Sequence, residues 1–94
     1  MTFFAVIYRP GSNWVQGRAF QEQDRIVAHR DFLREQFDHR RVLIAGPFLD
    51  DQGGIGIFEC ASSDELVELL QEDTTIAQNL LAYEAHPCAL PFIR

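Results

Sequence analysis

Residues 3–8 read Phe-Phe-Ala-Val-Ile-Tyr, and this segment decides the fold of the 94-residue chain. Aromatic and β-branched side chains are typical of β-strands, and successive side chains of a strand point to opposite faces of its sheet. One face therefore carries Phe3, Ala5 and Ile7, and the other carries Phe4, Val6 and Tyr8. Since both faces are apolar, we expect a strand that is covered by protein on both sides.

Patterns typical of helices and strands alternate along the rest of the chain. In the first helical pattern, Ile26, Leu33 and Phe37 form an apolar stripe. A capping box formed by Ser62 and Glu65 begins the second. The predicted elements are strands over 3–8, 42–47, 55–60 and 81–90, helices over 21–38 and 62–72, and a long loop over 9–20.

This βαββαβ order is typical of an α+β, ferredoxin-like domain, here spanning residues 1–94. Right-handed crossovers place the four antiparallel strands in the order 4-1-3-2, with both helices on one face of the sheet. The last strand is then an edge strand. Pro87 fits there, because a proline cannot donate a hydrogen bond to a neighbouring strand.

The sheet face that the helices leave open indicates a partner. Strict alternation in the second strand places Val42 and Ile44 on one face and Leu43 and Ala45 on the other. Both faces are apolar, whereas two helices can cover only one, and large exposed apolar patches are unusual in monomers. Because two-fold homodimers are the commonest oligomers, we predict a homodimer with sheet-to-sheet packing.

The charge of the chain argues against nucleic acid as a partner. The formal net charge is −6, and the chain has eight arginines and no lysine, whereas phosphate binding needs clustered cations. No apolar run approaches the roughly 20 residues that a bilayer crossing requires, and the apolar start is read as a strand and not as a signal peptide. We therefore expect a cytoplasmic protein with no membrane contact.

The two cysteines, Cys60 and Cys88, lie in predicted strands that a third strand separates. Strands spaced by ~4.8 Å place them ~10 Å apart, beyond the ~7 Å that a disulfide allows, so we expect two reduced, buried thiols. His86 shares a strand face with Glu84 and Cys88, and a metal site that adds Cys60 is an alternative. The spacing is not that of a zinc site, and we predict no metal.

His29 is the first candidate for chemistry. It lies three residues after Ile26 and four before Leu33, so helical spacing places it on the flank of the apolar stripe, partly buried. It could be a histidine at the edge of the core that bonds to the backbone. It could also be a general acid or base, because the ordinary pKa of histidine lies near neutrality.

Asp73 is the second candidate. It follows Leu70 by three residues, near the end of the second helix, where the helix dipole disfavours a negative charge. A carboxylate in this place needs a partner. One possibility is local, with Asp73 as the N-cap of a turn over 74–76. The other is His29, since the two helices lie side by side, and an aspartate bonded to one imidazole nitrogen raises the basicity of the other.

Arg25 and Trp14 are weaker candidates for contact with a substrate. Arg25 lies one helical turn before His29 and could bind a carboxylate, or it could be a solvated surface residue. Trp14, in the long loop, could line a pocket or cover the core. His39, at the end of the first helix, is best explained as a cation that suits the helix dipole.

Taken in order, these segments resemble the YciI-like (YCII-related) domain family over nearly the full chain. The resembling segments are the first strand ending in Tyr8, residues 28–33 around His29, the corner at 45–47, Asp73, the pair Tyr83-Glu84 and the pair Pro91-Phe92. The family pattern usually follows that aspartate with proline and an aromatic residue, whereas this chain has Thr74 and Thr75.

The resemblance implies a ferredoxin-like, dimeric α/β barrel with His29 and Asp73 as its active-site pair. The fold looks like the muconolactone-isomerase type, which includes small isomerases, lyases and dehalogenating enzymes that act on ring compounds. The sequence therefore predicts a small, cofactor-independent enzyme of the lyase or isomerase type. Its pocket would lie between helix and sheet, closed by the 9–20 loop.

Two other hypotheses use the same fold. The protein could be a dimeric domain that binds a small ligand, for regulation and without catalysis. It could also be a purely structural dimer, in which His29 and Asp73 only satisfy one another's hydrogen-bonding groups.

Overall fold

The computed structural model describes residues 1–94, and its element order is that expected from the sequence. The elements are β1 (Thr2–Pro10), a 3-10 turn (Phe20–Glu22), α1 (Ile26–Asp38), β2 (Val42–Pro47), β3 (Gly54–Cys60), α2 (Ser63–Leu70), α3 (Thr74–Ala77) and β4 (Leu81–Cys88). The strands form one sheet in the order β2-β3-β1-β4, with every neighbouring pair antiparallel. This confirms the α+β, ferredoxin-like arrangement, with Pro87 on an edge strand.

The helices bury one face of the sheet. Phe4, Val6 and Tyr8 of β1 are each at most 3% exposed and join Phe58, Leu66 and Leu70 in the core. Burying an apolar side chain of this size contributes about 1.5–3 kcal/mol, so this layer is the main source of stability. The opposite face of β1, which carries Phe3, Ala5 and Ile7, is only partly buried.

A β-bulge in β2 breaks the alternation that the sequence suggested. Val42 pairs with Phe58, but Ile44 pairs with Ile57, so the register shifts between them. Phe58 and Ile57 point to opposite faces of β3. Val42 is therefore buried beneath the helices, whereas Ile44 is exposed on the open face. The expectation that Val42 and Ile44 share a face was wrong, because a bulge inserts one extra residue into a strand.

The helix ends also differ in detail from the periodic pattern. Residues 20–22 form a separate turn, and α1 begins only at Ile26. Phe37, expected in the apolar stripe, is 53% exposed. The buried residue of this last turn is Gln36, whose amide oxygen accepts a 2.6 Å hydrogen bond from Arg41. Hydrophobic periodicity cannot anticipate a buried amide, because its burial depends on a donor in the following segment.

The second helix begins as the capping box predicted. The Ser62 hydroxyl accepts a 3.2 Å hydrogen bond from the Glu65 backbone N–H. The Glu65 carboxylate reaches back to accept one from the backbone N–H of Ala61, also at 3.2 Å. Two otherwise unpaired N–H groups at the helix start are thus satisfied.

The loop after β1 is held by one buried amide side chain. Gln23 donates hydrogen bonds to the carbonyls of Val15 and Arg18 at 2.8 and 2.9 Å and accepts one from the Val15 N–H at 3.0 Å. The Asp51 carboxylate accepts a 3.1 Å hydrogen bond from the Phe20 N–H. These bonds place Phe20 at the entrance to α1, next to the candidate site.

The cysteines lie on either side of β1. Cys60 stands opposite Thr2 and Cys88 opposite Phe3, and both thiols are free. Burial raises the pKa of the Cys60 thiol, which disfavours the reactive thiolate. Cys88 is only partly buried. None of the helices combines the length and apolar character needed to cross a bilayer, and a cytoplasmic location stays a prediction.

Candidate functional site

A cavity of about 780 Å³ lies between α1 and the β2–β3 side of the sheet. Small residues make room for it, because Gly46 and Gly54 contribute no side chain and Ala45 contributes only a methyl group. Tyr8 and Phe20 line its inner end. The α1 residues in its wall are Ile26, Val27, His29, Arg30, Leu33, Arg34 and Phe37.

His29 and Asp73 meet behind this wall. The distance from His29 Nδ1 to Asp73 Oδ2 is 2.5 Å, and both side chains are almost completely buried. An ionised carboxylate can only accept hydrogen bonds, so Nδ1–H is the donor in this contact. Asp73 does not line the cavity. Nε2 is therefore the ring nitrogen that remains for a molecule bound there.

Asp73 has two roles that the sequence left as alternatives. It is the N-cap of α3, since Oδ1 accepts a 3.0 Å hydrogen bond from the Thr75 N–H. The same oxygen accepts a 2.6 Å hydrogen bond from the Thr75 hydroxyl, while Oδ2 bonds to His29. Three donors therefore hold one fully buried carboxylate in one orientation.

Aromatic rings fix the plane of the His29 imidazole. The Tyr8 ring stands edge-on to it, with ring centroids 4.8 Å apart and planes at 77°. The Phe20 ring approaches from another side, with a centroid distance of 6.4 Å. Trp14 packs against Phe20 at 5.7 Å. The helix supplies His29, and the strand and loop supply the rings that limit its motion.

Tyr8 carries the only buried side-chain N or O atom that has no hydrogen-bond partner, its hydroxyl oxygen. Burial, followed by the negative charge of Asp73 and the nearby Tyr83, raises the pKa of Tyr8 far above its usual value. The phenol therefore stays protonated throughout the neutral range. A neutral, buried donor without an acceptor is unusual, and Tyr8 contributes it to the cavity wall.

The structure does not bring every candidate to the site. Arg25 precedes α1 with a left-handed backbone, is exposed and bonds to the Gln78 side chain, so it is absent from the cavity wall. We expected Arg25 within the helix, one turn before His29. Because α1 begins only at Ile26, Arg25 does not have helical spacing to His29. Trp14 also lies outside the wall, 7% exposed and packed behind Phe20.

Two cavity residues were missed by the sequence reading. Arg30 and Arg34 line the cavity, and no acidic residue does. They are four residues apart on α1, beside His29 and Leu33 along the chain. The helical spacing that singled out His29 could also have found them, had the helix start been known.

The alternative of a metal site does not fit the sheet. His86 stands opposite Ala5 on the open face and donates a 2.7 Å hydrogen bond to Glu84. Cys60 stands opposite Thr2, on the helix-covered face, so it cannot join His86. No three His, Cys, Asp or Glu side chains cluster anywhere in the chain. His39 caps the end of α1, with Nδ1 donating to the Glu35 carbonyl at 2.8 Å.

The sequence model of the YCII-related domain matches residues 2–86, a range that includes both His29 and Asp73. The chain belongs to the YCII-related domain family. This confirms the resemblance drawn from the order of the short segments. No protein with a curated description matches the sequence.

A solved member of the same fold supports the architecture. The chain is similar to 5-chloro-2-hydroxyhydroquinone dehydrochlorinase from Burkholderia phenoliruptrix, in complex with 2,5-dihydroxybenzoquinone. The two share 22% sequence identity with a TM-score of 0.63, over 92% of this chain and 93% of the other. At that identity, the similarity shows a common fold.

The unpaired Tyr8 hydroxyl leads to a prediction about stability. We expect Tyr8→Phe to change the free energy of unfolding by less than about 0.5 kcal/mol, because the substitution removes a buried donor that makes no bond. Tyr8→Leu, which removes the ring, should cost at least about 1 kcal/mol. Urea denaturation checks both. A large loss in Tyr8→Phe would mean that a bound water satisfies the hydroxyl.

Proposed function

We propose that the protein is a small-molecule enzyme of the lyase or isomerase type, in which His29 transfers a proton and Asp73 orients the imidazole. The observation that carries the proposal is the buried 2.5 Å contact between Nδ1 and the Asp73 carboxylate, in the wall of a largely apolar cavity. A positioned histidine of this kind typically contributes a factor of about 10²–10⁴ to a rate.

The chemistry that this pair supports is redox-neutral. Nε2 takes a proton from a C–H or O–H group of the substrate, and Asp73 stabilises the imidazolium that forms. In an elimination, the electron pair of the broken C–H bond forms a double bond as the leaving group departs with its own pair. In an isomerisation, Nε2 returns the proton to another atom of the same molecule. Electrons are conserved within the substrate in both cases.

The charges around the cavity favour an anionic substrate. Arg30 and Arg34 are the charged residues of its wall, although the whole chain has a net charge of −6. Aromatic and aliphatic side chains line the rest and suit a flat ring. We therefore propose a ring compound with an acidic hydroxyl or carboxyl group. The dihydroxybenzoquinone bound by the structural neighbour is a compound of this type.

We also propose that a second copy of the chain covers the open face of the sheet. Ile44 of β2 is 57% exposed, and Phe3, Ala5 and Ile7 of β1, on the same face of the sheet, are only partly buried. Exposed apolar side chains of this size on one face are unusual in a monomer. A homodimer with sheet-to-sheet packing buries them by the commonest symmetry.

The catalytic role of His29 is best tested with His29→Gln. Glutamine can still donate to the buried Asp73 carboxylate but cannot take up a proton, whereas alanine would leave that carboxylate short of a donor and destabilise the fold. Deuterium incorporation from D₂O into the ring C–H positions of hydroxylated quinones and hydroquinones, starting with 2,5-dihydroxybenzoquinone, measures proton transfer. We expect the variant to be about 10²–10⁴-fold slower.

His39→Gln is the matched control and should keep the wild-type rate, because His39 lies at the far end of α1. Equal rates in the wild type and His29→Gln would rule out the proton-transfer role. A compound that raises the melting temperature but is left unchanged would instead support a ligand-binding domain.

The substrate charge is tested by neutralising the cavity arginines. The double variant Arg30→Gln/Arg34→Gln should bind 2,5-dihydroxybenzoquinone about threefold to tenfold more weakly, a modest effect because both guanidinium groups are solvated. The difference from wild type should shrink at high salt. Arg25→Gln, outside the cavity, should bind as the wild type does. Isothermal titration calorimetry at two salt concentrations measures this, and equal affinities would contradict the proposed anion preference.

The dimer is tested on the protein in solution. We expect multi-angle light scattering at micromolar concentration to give twice the mass of the 10.8 kDa chain. Ile44→Glu should shift the population towards monomer, because it places a charge on the apolar face that the proposed dimer buries. Leu49→Glu, at a fully exposed turn position, is the control. A monomeric wild type would refute the interface.

A further inference from the structure

The two oxygens of the Asp73 carboxylate have separate partners. Oδ2 faces His29, while Oδ1 receives both hydrogen bonds from Thr75. Asp73 and Thr75 are each 0% exposed, so water does not compete for these bonds. The orientation of the carboxylate, and hence the aim of Oδ2, depends on what Thr75 donates.

Capping α3 does not require the Thr75 hydroxyl. An N-cap carboxylate requires only a backbone N–H from the first turn, and the Thr75 N–H at 3.0 Å supplies it. The hydroxyl is a second donor to the same oxygen, at 2.6 Å. Threonine hydroxyls near helix starts commonly bond to backbone groups, whereas this one bonds to the carboxylate that holds His29.

A donor on Oδ1 also changes the charge that His29 experiences. Hydrogen bonds to a carboxylate stabilise its ionised form and draw electron density away from the other oxygen. With the hydroxyl bonded to Oδ1, Oδ2 competes less strongly for the Nδ1 proton. Without the hydroxyl, Oδ2 is more basic, the Nδ1 proton is shared more strongly, and the imidazole binds a proton at Nε2 more tightly.

We propose that Thr75 is a positioning residue of the His29–Asp73 pair, through a hydroxyl that fixes the Asp73 carboxylate and limits its basicity. The inference extends the proposed proton-transfer function and rests on it for its catalytic meaning. The geometric part, an Asp73 carboxylate tuned by a buried threonine hydroxyl, stands on the hydrogen bonds alone.

Few other titratable groups surround the pair. Tyr8 of β1 faces the imidazole and stays neutral, and Tyr83 of β4 is the next phenol along the sheet. Arg30 and Arg34, on the same helix as His29, keep their charge at every accessible pH.

The experiment compares Thr75→Val with Thr75→Ser. Valine has the shape of threonine without the hydroxyl, and serine keeps the hydroxyl. Thr74→Val is the matched control, because Thr74 is exposed at the preceding position. The first readout is the proton resonance of His29 Nδ1–H, which a carboxylate acceptor moves far downfield. We expect it to move further downfield in Thr75→Val, and to stay near the wild-type position in the other two variants.

The second readout is the pH dependence of deuterium incorporation into 2,5-dihydroxybenzoquinone. In Thr75→Val the acid limb should move to higher pH by roughly half a unit, because the imidazole holds its proton more tightly. A role confined to helix capping would lower the melting temperature and leave both readouts unchanged. Identical resonances and pH profiles in folded Thr75→Val and Thr75→Ser would overturn the inference.

A measurement on the wild type covers the case in which Thr75→Val does not fold. The Thr75 hydroxyl proton should give its own resonance in slow exchange with water, since the hydroxyl is buried and bonded to a carboxylate. Failure to detect it under conditions where the His29 Nδ1 proton is seen would count against the inference. If the resonances behave as expected but no compound exchanges, the positioning role stands and the proposed proton-transfer function falls.

Discussion

A carboxylate that has no contact with water must find its donors within the protein, and Asp73 is such a group. Its donors come from two directions, the imidazole of α1 and the first turn of α3. This one set of hydrogen bonds links helices that are far apart in the chain and turns the His29 ring so that only Nε2 is left for a ligand. The same three bonds thus satisfy the buried carboxylate and orient the imidazole.

The cavity lies between α1 and the β2–β3 side of the sheet. The β2–β3 wall includes Ala45, Gly46 and Gly54, whose small size leaves space in front of His29 beside larger residues such as Val42. Arginines at its rim add positive charge to an acidic protein. The buried His29–Asp73 pair, an apolar wall and two arginines thus meet at one cavity.

The sequence was sufficient for much of the fold and for the expectation that His29 and Asp73 meet. The βαββαβ order of the elements led to the correct strand order. Helical spacing around His29 and the position of Asp73 at a helix end led to a pair that does meet. Periodicity placed Arg25 inside the first helix, which was wrong. The start of α1 depends on the left-handed backbone of Arg25 and on a hydrogen-bonded loop. Alternation placed Ile44 on the same face as Val42, which was wrong, because a bulge depends on how two strands pair.

Local sequence determined which segments become strands and helices, and which faces are apolar, because these depend on side-chain type and spacing within a few residues. Only the tertiary structure decided that Arg30 and Arg34 line the cavity, that the Tyr8 hydroxyl has no partner and that Thr75 bonds to Asp73. Such features depend on distances and directions between segments distant in sequence or between side chains within a turn. A hydrogen bond is made or lost within a fraction of an ångström, which no pattern of residue types resolves.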